Sequence, residues 1–408
     1  MRPSAGIVSR GRRPAITSPQ ICRVFQSRRP ISIFTTRSHP TRRLLSRELP
    51  TKLRLTTPTA SQNIRSLATT ASDKMATESA VSKGGLNIPL IDFGKFLNGA
   101  QEERKATADA ILSGFQNAGF IYLKNHAITP GTIKKTFSRS ASFFAQNDQA
   151  KLDLGWTTPE ANRGYSAPGR EKVTQLLDIN DVDEVRKAAP DMKESFEIGR
   201  EDDPDHPNQW PQDGQLDGFK PDMMDFFEDC KKMHMEVMRA IAVGMGLEEE
   251  FFDGFVNVGD NTLRLLHYPA VDTTVFKVNP NAVRAGEHSD YGSITLLFQD
   301  NRGGLQVKSP TGQFIDATPI EGTIVVNAGD LLARWSNDTI RSTIHRVVEP
   351  PHKEGEIHPP RYSIAYFCNP NSKSLIEVLP GTYEKEQDRK YESITSGDYL
   401  VQRLAATY

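Results

Sequence analysis

Cysteine is scarce in this chain of 408 residues, which contains Cys22, Cys230 and Cys368 and no further cysteine. The number is odd and no pair has the CxxC spacing. The sequence therefore predicts neither a disulfide framework nor a thiolate zinc site. Such cysteine usage is typical of proteins that work in a reducing compartment.

Long hydrophobic runs are also absent, because no stretch of eighteen or more apolar residues occurs in the sequence. This excludes a bilayer-spanning helix. Internal repeats and a glycine loop of the kind that cradles phosphate groups are missing as well. Since 37% of the residues are hydrophobic, the chain can still bury a full core. We expect a soluble protein without a membrane partner.

Acidic residues are nearly missing from the first 72 positions, which hold 13 Arg and Lys52 against Glu48 alone. That segment carries a net charge of +13, which leaves −14 for the remainder. Its composition is typical of a mitochondrial transit peptide. Two alternatives are a basic tail that meets nucleic acid and sequence upstream of a start at Met75. We expect residues 1–74 to be a disordered basic extension of a cytoplasmic protein, or of a mitochondrial one if the extension is a transit peptide.

The remainder of the chain begins with mixed elements and continues with short strands. Hydrophobic spacing predicts a strand over 88–93, a helix over 101–118, a strand over 119–124 and a core-backing helix over 221–246. After residue 262, apolar runs of four to seven residues predict strands over 263–268, 293–298, 304–308, 313–317, 323–327, 344–348 and 362–368. Hairpin turns are predicted at 301–304, 309–312 and 327–330.

This rhythm predicts a mostly β fold with flanking helices. A jelly roll is favoured over a sandwich or a small barrel, because its strands bring distant stretches of sequence to one mouth. We divide the folded part into an N-terminal subdomain with α/β elements over 85–205, a helical support over 206–260, and a jelly-roll core with a C-terminal helix over 261–408.

An HxD triplet, formed by His288, Ser289 and Asp290, lies in a predicted strand, and His345 follows 55 residues after Asp290. Residues two apart in a strand face the same way, so His288 and Asp290 can reach one ion. Two imidazoles and a carboxylate that leave open coordination positions are the ligand set of non-heme iron(II) oxygenases. The triplet alone is weak support, since such pairs are common in unrelated sites. The sequence predicts a redox enzyme with these three side chains as metal ligands.

A second polar pair strengthens the prediction. Arg361 and Ser363 lie two residues apart in an apolar run, 16 residues after His345, and so share one strand face. A guanidinium beside a hydroxyl suits a carboxylate, because its planar fork donates two parallel hydrogen bonds and the hydroxyl adds a third. The sequence therefore places a carboxylate anchor after the metal ligands.

Seven motifs in order carry a family resemblance: Ile88-Pro89-Leu90-Ile91-Asp92, Gly119-Phe120-Ile121-Tyr122, Asn162-Arg163-Gly164-Tyr165, Lys193-Glu194-Ser195-Phe196, the HxD triplet, His345-Arg346-Val347 and Arg361-Tyr362-Ser363. On these motifs, residues from about 85 to 408 resemble the isopenicillin N synthase-like 2-oxoglutarate and iron(II)-dependent oxygenases. The resemblance implies a double-stranded β-helix core. It also implies iron(II) on His288, Asp290 and His345, dioxygen as co-substrate, ascorbate as supporting reductant, and 2-oxoglutarate held by Arg361, Ser363 and Tyr268.

Within that family, four stretches are similar to the thymine-oxidising branch found in fungi: 162–175, 264–270, 361–370 and the final 401–408. This implies oxidation of the thymine methyl group to 5-hydroxymethyluracil, and onward to 5-formyluracil and uracil-5-carboxylate. A flat uncharged ring requires aromatic stacking and fixed polar partners. Tyr291, Phe367 and Arg264 are the predicted substrate contacts, although Phe367 could be core, Tyr291 a wall of the site, and Arg264 the partner of an acid.

Other readings remain open at this point. One is an oxygenase of the same family that acts on another small molecule, and another is a jelly-roll binding protein that has lost catalysis. The acidic net charge of the folded part opposes a nucleic-acid partner, and we expect a monomer. His267 is out of phase with Arg264 and Tyr268 and is predicted to form a hydrogen bond away from the site. Asn162, Arg163 and Tyr165 are predicted to form either a lid or a structural loop.

Overall fold

The computed structural model describes residues 78–158, 161–169, 192–274, 284–349 and 357–405. The predicted extension over 1–74 lies outside these ranges. The α-helices of the described residues are α1 Gly94–Asn98, α2 Gln101–Asn117, α3 Pro130–Phe144, α4 Asp148–Leu152, α5 Phe219–Gly244, α6 Asp253–Val256, α7 Asp330–Trp335 and α8 Ser396–Ala405.

The strands fall into an N-terminal group and a larger C-terminal group. The first group is β1 Glu78–Lys83, β2 Leu86–Asp92, β3 Phe120–Lys124, β4 Gly164–Ser166 and β5 Glu194–Ile198. The second is β6 Thr262–Tyr268, β7 Val271–Asp272, β8 Ala285–His288, β9 Ile294–Gln299, β10 Leu305–Lys308, β11 Phe314–Asp316, β12 Thr323–Ala328, β13 His345–Val347, β14 Ile357–His358, β15 Arg361–Cys368, β16 Leu375–Ile376 and β17 Ile394–Thr395.

Two sheets form the core. The larger one has nine strands in the order β1-β2-β3-β12-β9-β15-β6-β5-β4, and the smaller one has four in the order β11-β10-β13-β8. All their pairings are antiparallel except β2 with β3. Chain neighbours such as β8, β9 and β10 alternate between the two sheets, which is the winding of a double-stranded β-helix. The predicted jelly-roll core with N-terminal α/β elements is confirmed.

Side chains of the large sheet alternate between its two faces, and both faces carry buried residues. Leu263, Leu265 and Ile364 join the cluster formed with the helices, in which α5 contributes a row of fully buried side chains. Leu266 and Ala365 face the opposite way and join a second cluster with residues of the small sheet. The second face therefore encloses the space between the sheets, where the site lies.

Most predicted elements after residue 262 are present within one or two residues of their predicted ends. The helix expected over 221–246 is α5, and its methionines Met233 and Met238 are buried in the core. Strand β1 was not predicted, because its sequence ESAVSK is polar and it lies at a sheet edge. Within the described ranges, no helix has the length and apolar character needed to cross a membrane.

Two of the three predicted hairpins are wrong. The turn at 309–312 does join the paired strands β10 and β11. The turn at 301–304, however, links β9 in the large sheet to β10 in the small sheet. The segment 327–330 leads from β12 into helix α7. Turn residues indicate where a chain reverses, but the partner of each strand depends on tertiary packing.

Candidate metal and co-substrate site

Three predicted ligands meet at one end of the space between the sheets. His288 and His345 are directly paired across β8 and β13, and their ring centroids are 4.2 Å apart. Asp290 Oδ1 lies 3.9 Å from His288 Nε2 and 3.8 Å from His345 Nε2. All three ligand atoms lie within 4.8 Å of one another. The side chains therefore surround a common point, as the spacing predicted.

The prediction that the whole HxD triplet is in a strand is wrong in one respect. Strand β8 ends at His288, so Asp290 lies just beyond it. Beyond the strand, the Asp290 carbonyl accepts a hydrogen bond of 2.8 Å from the Asp330 amide at the start of α7. Asp290 still reaches the histidines, but it does so from outside the strand, so the two-residue period of a strand does not explain its position.

Hydrogen bonds orient each ligand toward the common point. The Nδ1 atom of His288 lies 2.8 Å from the Gly286 carbonyl, and that of His345 lies 3.2 Å from the Thr343 carbonyl. A proton held on Nδ1 leaves Nε2 unprotonated for a metal. Asp290 Oδ2 accepts from Thr295 Oγ1 at 2.5 Å and Asn327 Nδ2 at 2.7 Å. The other oxygen, Oδ1, is the one that faces both imidazoles.

The electrostatics of the cluster favour the forms that bind a metal. Burial lowers the pKa of His345 to about 4, and the nearby His288 acts in the same direction. For Asp290, burial alone would raise the pKa, but His345, His288 and the two hydrogen-bond donors outweigh it and lower the pKa. A neutral imidazole and an ionised carboxylate are the protonation states that coordinate a cation. The donor set of two nitrogens and one oxygen fits iron(II).

Arg361, Ser363 and Tyr268 form a second cluster on the strands opposite. Arg361 Nη1 donates to Ser363 Oγ at 3.1 Å, and its Nε donates to the Gly303 carbonyl at 2.8 Å. Arg361 is paired with Tyr268 across β15 and β6, and its guanidinium lies 4.8 Å from the centre of the Tyr268 ring. These contacts hold the Arg361 guanidinium in place. Arg361, Ser363 and Tyr268 all line the same cavity.

One cavity of about 360 Å³ joins both clusters to the predicted substrate contacts. Tyr291, Phe367 and Arg264 all line it. The Arg264 guanidinium lies 5.1 Å from the centre of the Phe367 ring, and its Nε is 2.8 Å from Glu197 Oε1. Arg264 therefore both lines the cavity and pairs with an acid, which the sequence had left as alternatives.

Comparison with known proteins agrees with this geometry. A family model described as the 2OG-Fe(II) oxygenase superfamily matches residues 259–370, and one described as non-haem dioxygenase in morphine synthesis N-terminal matches residues 88–213. A 2-oxoglutarate-Fe(II) type oxidoreductase of Metarhizium rileyi is 34% identical over 326 residues, which are 79% of this chain and 91% of the relative. The chain belongs to the 2OG-Fe(II) oxygenase superfamily.

Solved structures of the superfamily include two that are more similar to this chain. The Neurospora crassa thymine 7-hydroxylase in complex with 2-oxoglutarate and thymine is 69% identical, with a TM-score of 0.76, over 81% of this chain and 100% of that one. Its complex with 5-formyluracil is 65% identical, with a TM-score of 0.74, over 81% and 99%.

As a member of the 2OG-Fe(II) oxygenase superfamily, the protein uses iron(II), 2-oxoglutarate and dioxygen, as predicted. Among the described residues, His288, Asp290 and His345 are the one group of side chains positioned so that they could hold a metal ion. These three side chains line the same cavity as Arg361 and Ser363.

Two features of this oxygenase site were not predicted as parts of it. The C-terminal helix α8 contributes Leu400, Val401 and Leu404 to the cavity lining. It is tied to the metal cluster through Arg403, which lies 3.2 Å from Asp330 Oδ2. Asp330 also accepts a hydrogen bond from Ser289 at 3.1 Å. The apolar spacing of 396–405 gave a usable helical signal, but nothing local indicates where a terminal helix docks.

The second unpredicted feature is the polar end of the cavity, where Glu197 stands behind Arg264. Asn162 and Arg163 line this end, whereas the Tyr165 hydroxyl bonds to Glu194. The three residues predicted to form either a lid or a structural loop therefore do not all face the cavity. His267 bonds to Glu194 Oε1 at 2.7 Å and is absent from the cavity lining, so its predicted orientation is confirmed.

Proposed function

We propose that this protein oxidises the methyl group of free thymine to 5-hydroxymethyluracil, and carries the oxidation on to 5-formyluracil and uracil-5-carboxylate. The observation that carries the proposal is the 69% identity to an oxygenase solved with thymine, over the whole length of that protein. The cavity supports it, because two aromatic side chains and a guanidinium line the same space as the metal cluster.

His288, Asp290 and His345 are proposed to hold the iron. Their Nε2 and Oδ1 atoms converge, and the hydrogen bonds to Gly286, Thr343, Thr295 and Asn327 keep them in that arrangement. Iron held there would supply the activation of dioxygen: one oxygen atom would enter succinate as 2-oxoglutarate loses carbon dioxide, and the other would enter a C–H bond of the substrate. All three residues line the cavity, through which these reactants would reach them.

Arg361, Ser363 and Tyr268 are proposed to bind the distal carboxylate of 2-oxoglutarate. The guanidinium is already fixed by the Gly303 carbonyl and Ser363, so little rotamer entropy is lost when the co-substrate binds. This anchor orients the keto acid end toward the metal ligands. A binding protein without turnover would have no use for such an anchor, which is why catalysis is favoured over a non-catalytic role.

Tyr291, Phe367 and Arg264 are proposed to orient thymine. Stacking on an aromatic ring holds a flat neutral base without requiring a charge. The Arg264 guanidinium lies 5.1 Å from the centre of the Phe367 ring, and its N–H donors suit a pyrimidine carbonyl. The apolar side chains of Leu297, Leu305, Val347, Leu400 and Leu404 complete the lining and exclude water from the reacting methyl group.

The test is release of succinate by the purified protein with iron(II), ascorbate and 2-oxoglutarate, measured across the free pyrimidine bases. We expect thymine to stimulate succinate release and to be converted to 5-hydroxymethyluracil. The His288→Ala variant is the control, and it should lose both products while remaining folded by circular dichroism. Rapid turnover of a different small molecule, with thymine inert, would replace this proposal with the alternative of another substrate in the same family.

We further propose that the enzyme acts as a monomer, without nucleic acid, and that it is cytoplasmic unless residues 1–74 direct it to mitochondria. The acidic charge of −14 outside the first 72 residues supports the absence of a nucleic-acid partner. The subdivision into 85–205, 206–260 and 261–408, with 1–74 as an extension, stays a proposal. Light scattering tests the first point, and fluorescent fusions with and without residues 1–74 test the location.

A further inference from the structure

Glu197 is a carboxylate with no solvent exposure that lies directly behind the proposed thymine contact Arg264. The two residues are paired across β5 and β6, and their side chains are 2.8 Å apart. Ser195 Oγ donates to Glu197 Oε1 at 2.7 Å, and Trp156 Nε1 donates to Oε2 at 3.0 Å. A carboxylate so deeply buried is stable only because cationic and hydrogen-bonding partners surround it.

Glu197 is one of several charged groups near Arg264. The lining acids Asp203 and Asp260 both pair with Arg200, at 3.9 Å and 2.8 Å. Glu197 instead pairs with Arg264. It also acts on Arg163, whose pKa is lowered by burial while Asp203, Glu197 and Asp260 act in the opposite direction. Glu197 therefore brings a negative charge directly against the Arg264 guanidinium.

We propose that Glu197 is a positioning residue that holds Arg264 over Phe367 and balances its charge, so that the site binds neutral pyrimidines and releases the anionic end product. This inference rests on the proposed function. Thymine, 5-hydroxymethyluracil and 5-formyluracil are uncharged, whereas uracil-5-carboxylate carries a carboxylate. An unbalanced guanidinium beside the bound product would retain that anion, since opposite charges attract more strongly inside a protein than in bulk water.

The test compares wild type with Glu197→Gln, which keeps the shape and removes the charge. For each protein, inhibition constants against thymine oxidation are measured for uracil-5-carboxylate and for uracil, a neutral pyrimidine that lacks the methyl group. We expect Glu197→Gln to lower the ratio of the two inhibition constants, uracil-5-carboxylate over uracil, by about tenfold. The kcat for thymine should fall as well, because the retained product slows turnover.

Three variants separate charge balance from a general structural role. Ser195→Ala removes a hydrogen bond to Glu197 but no charge, and it should leave the ratio within about twofold of wild type. Glu197→Asp keeps the charge and should also preserve the ratio, even if KM for thymine rises. The double variant Glu197→Gln, Arg264→Gln removes both charges and should return the ratio to the wild-type value.

An unchanged ratio in a folded Glu197→Gln protein would overturn the inference, and so would the same shift in the ratio for Ser195→Ala. The wild-type assay distinguishes this failure from a failure of the proposed function. If wild type oxidises thymine and the ratio does not move, only the role of Glu197 is wrong. If wild type does not oxidise thymine, the substrate itself is wrong.

Discussion

At the scale of single residues, we expect Arg361 to contribute to 2-oxoglutarate binding and not to metal binding. Its guanidinium bonds to Gly303 and Ser363 and does not belong to the metal cluster. We predict that Arg361→Leu raises KM for 2-oxoglutarate by about a hundredfold, because charge-assisted hydrogen bonds to a carboxylate are lost. The iron(II) dissociation constant should stay within about threefold of wild type. Steady-state kinetics and metal titration measure the two quantities.

Arg361→Lys is the matched variant for this prediction. It keeps the positive charge but loses the planar fork, so KM for 2-oxoglutarate should lie between those of wild type and Arg361→Leu. A parallel loss of iron affinity in both variants would contradict the division of labour, since it would mean that Arg361 supports the metal cluster.

We expect Thr295 to support metal binding, because its hydroxyl donates a hydrogen bond of 2.5 Å to Asp290 Oδ2. Thr295→Val replaces the hydroxyl with a methyl group of similar size. We predict that the iron(II) dissociation constant rises by about tenfold, as is typical when a partner of a metal ligand is removed. Thr323→Val is the control, since Thr323 bonds to the Ile320 carbonyl at the far end of β12. Equal effects of the two substitutions would sink this explanation.

The individual ligands were predictable, whereas their supporting partners were not. A metal site and a carboxylate site were recognisable from the residue types and spacing of His288, Asp290, His345, Arg361 and Ser363. Thr295 and Glu197 have no such signal, because a threonine or glutamate in a strand is ordinary until the fold brings it to a buried partner. Parity along a strand correctly placed Arg264 and Phe367 in the cavity, since side chains alternate between the two faces.

At the scale of elements, helix α8 closes the cavity with Leu400 and Leu404. We predict that Leu400→Ala combined with Leu404→Ala raises KM for thymine by about tenfold, because apolar area that covers the substrate is lost. KM for 2-oxoglutarate should change little. Gln402→Ala is the control, since Gln402 is exposed on the same helix. If Gln402→Ala has the same effect, loss of helix stability rather than loss of covering surface is responsible.

Strands β5 and β6 are joined to α4 by a buried ionic cluster around Glu194. Burial would raise the pKa of Glu194, but hydrogen bonds from His267, Tyr165 and Lys151 outweigh it and lower the pKa below its ordinary value. A depressed pKa stabilises the fold above the ordinary pKa of the unfolded carboxyl, and this stability is lost as pH falls through the folded pKa. The cluster should therefore weaken only in acid.

We predict that Glu194→Gln lowers the free energy of unfolding by about 3 kcal/mol at pH 7, because the buried Lys151 loses its buried partner and keeps the exposed Asp148. The variant should also lose less stability than wild type between pH 6 and pH 3. Urea unfolding at each pH measures both effects. Asp109→Asn, which removes an exposed partner of Lys105, should cost less than about 0.5 kcal/mol. Parallel pH curves for wild type and Glu194→Gln would contradict the assignment.

Elements were predictable where local periodicity and tertiary packing agree. Strands β6, β9, β12 and β15 have alternating or continuous apolar residues because both of their faces are buried. The edge strand β1 and the short strand β4 have no such pattern. The turn at 301–304 was misread as a hairpin, since a turn sequence carries no information on whether the next strand joins the same sheet.

At the scale of the whole molecule, two sheets wound together bring four distant segments to one cavity. These segments are separate strands or the residues directly after them, and they contribute His288 with Asp290, His345, Arg361 and Tyr268. Their convergence depends on the winding of the fold. The position of α8 over the cavity is likewise a property of the complete molecule. Sequence motifs predicted which residues form the site, and the family resemblance predicted the topology that brings them together.

The most direct test of the central claim is oxidation of thymine under isotopically labelled dioxygen, followed by mass spectrometry. The full-length protein is supplied with iron(II), 2-oxoglutarate and thymine. We predict that 5-hydroxymethyluracil carries one labelled oxygen on its exocyclic carbon and that one succinate forms for each oxidation. Succinate release with thymine recovered unchanged would contradict the account.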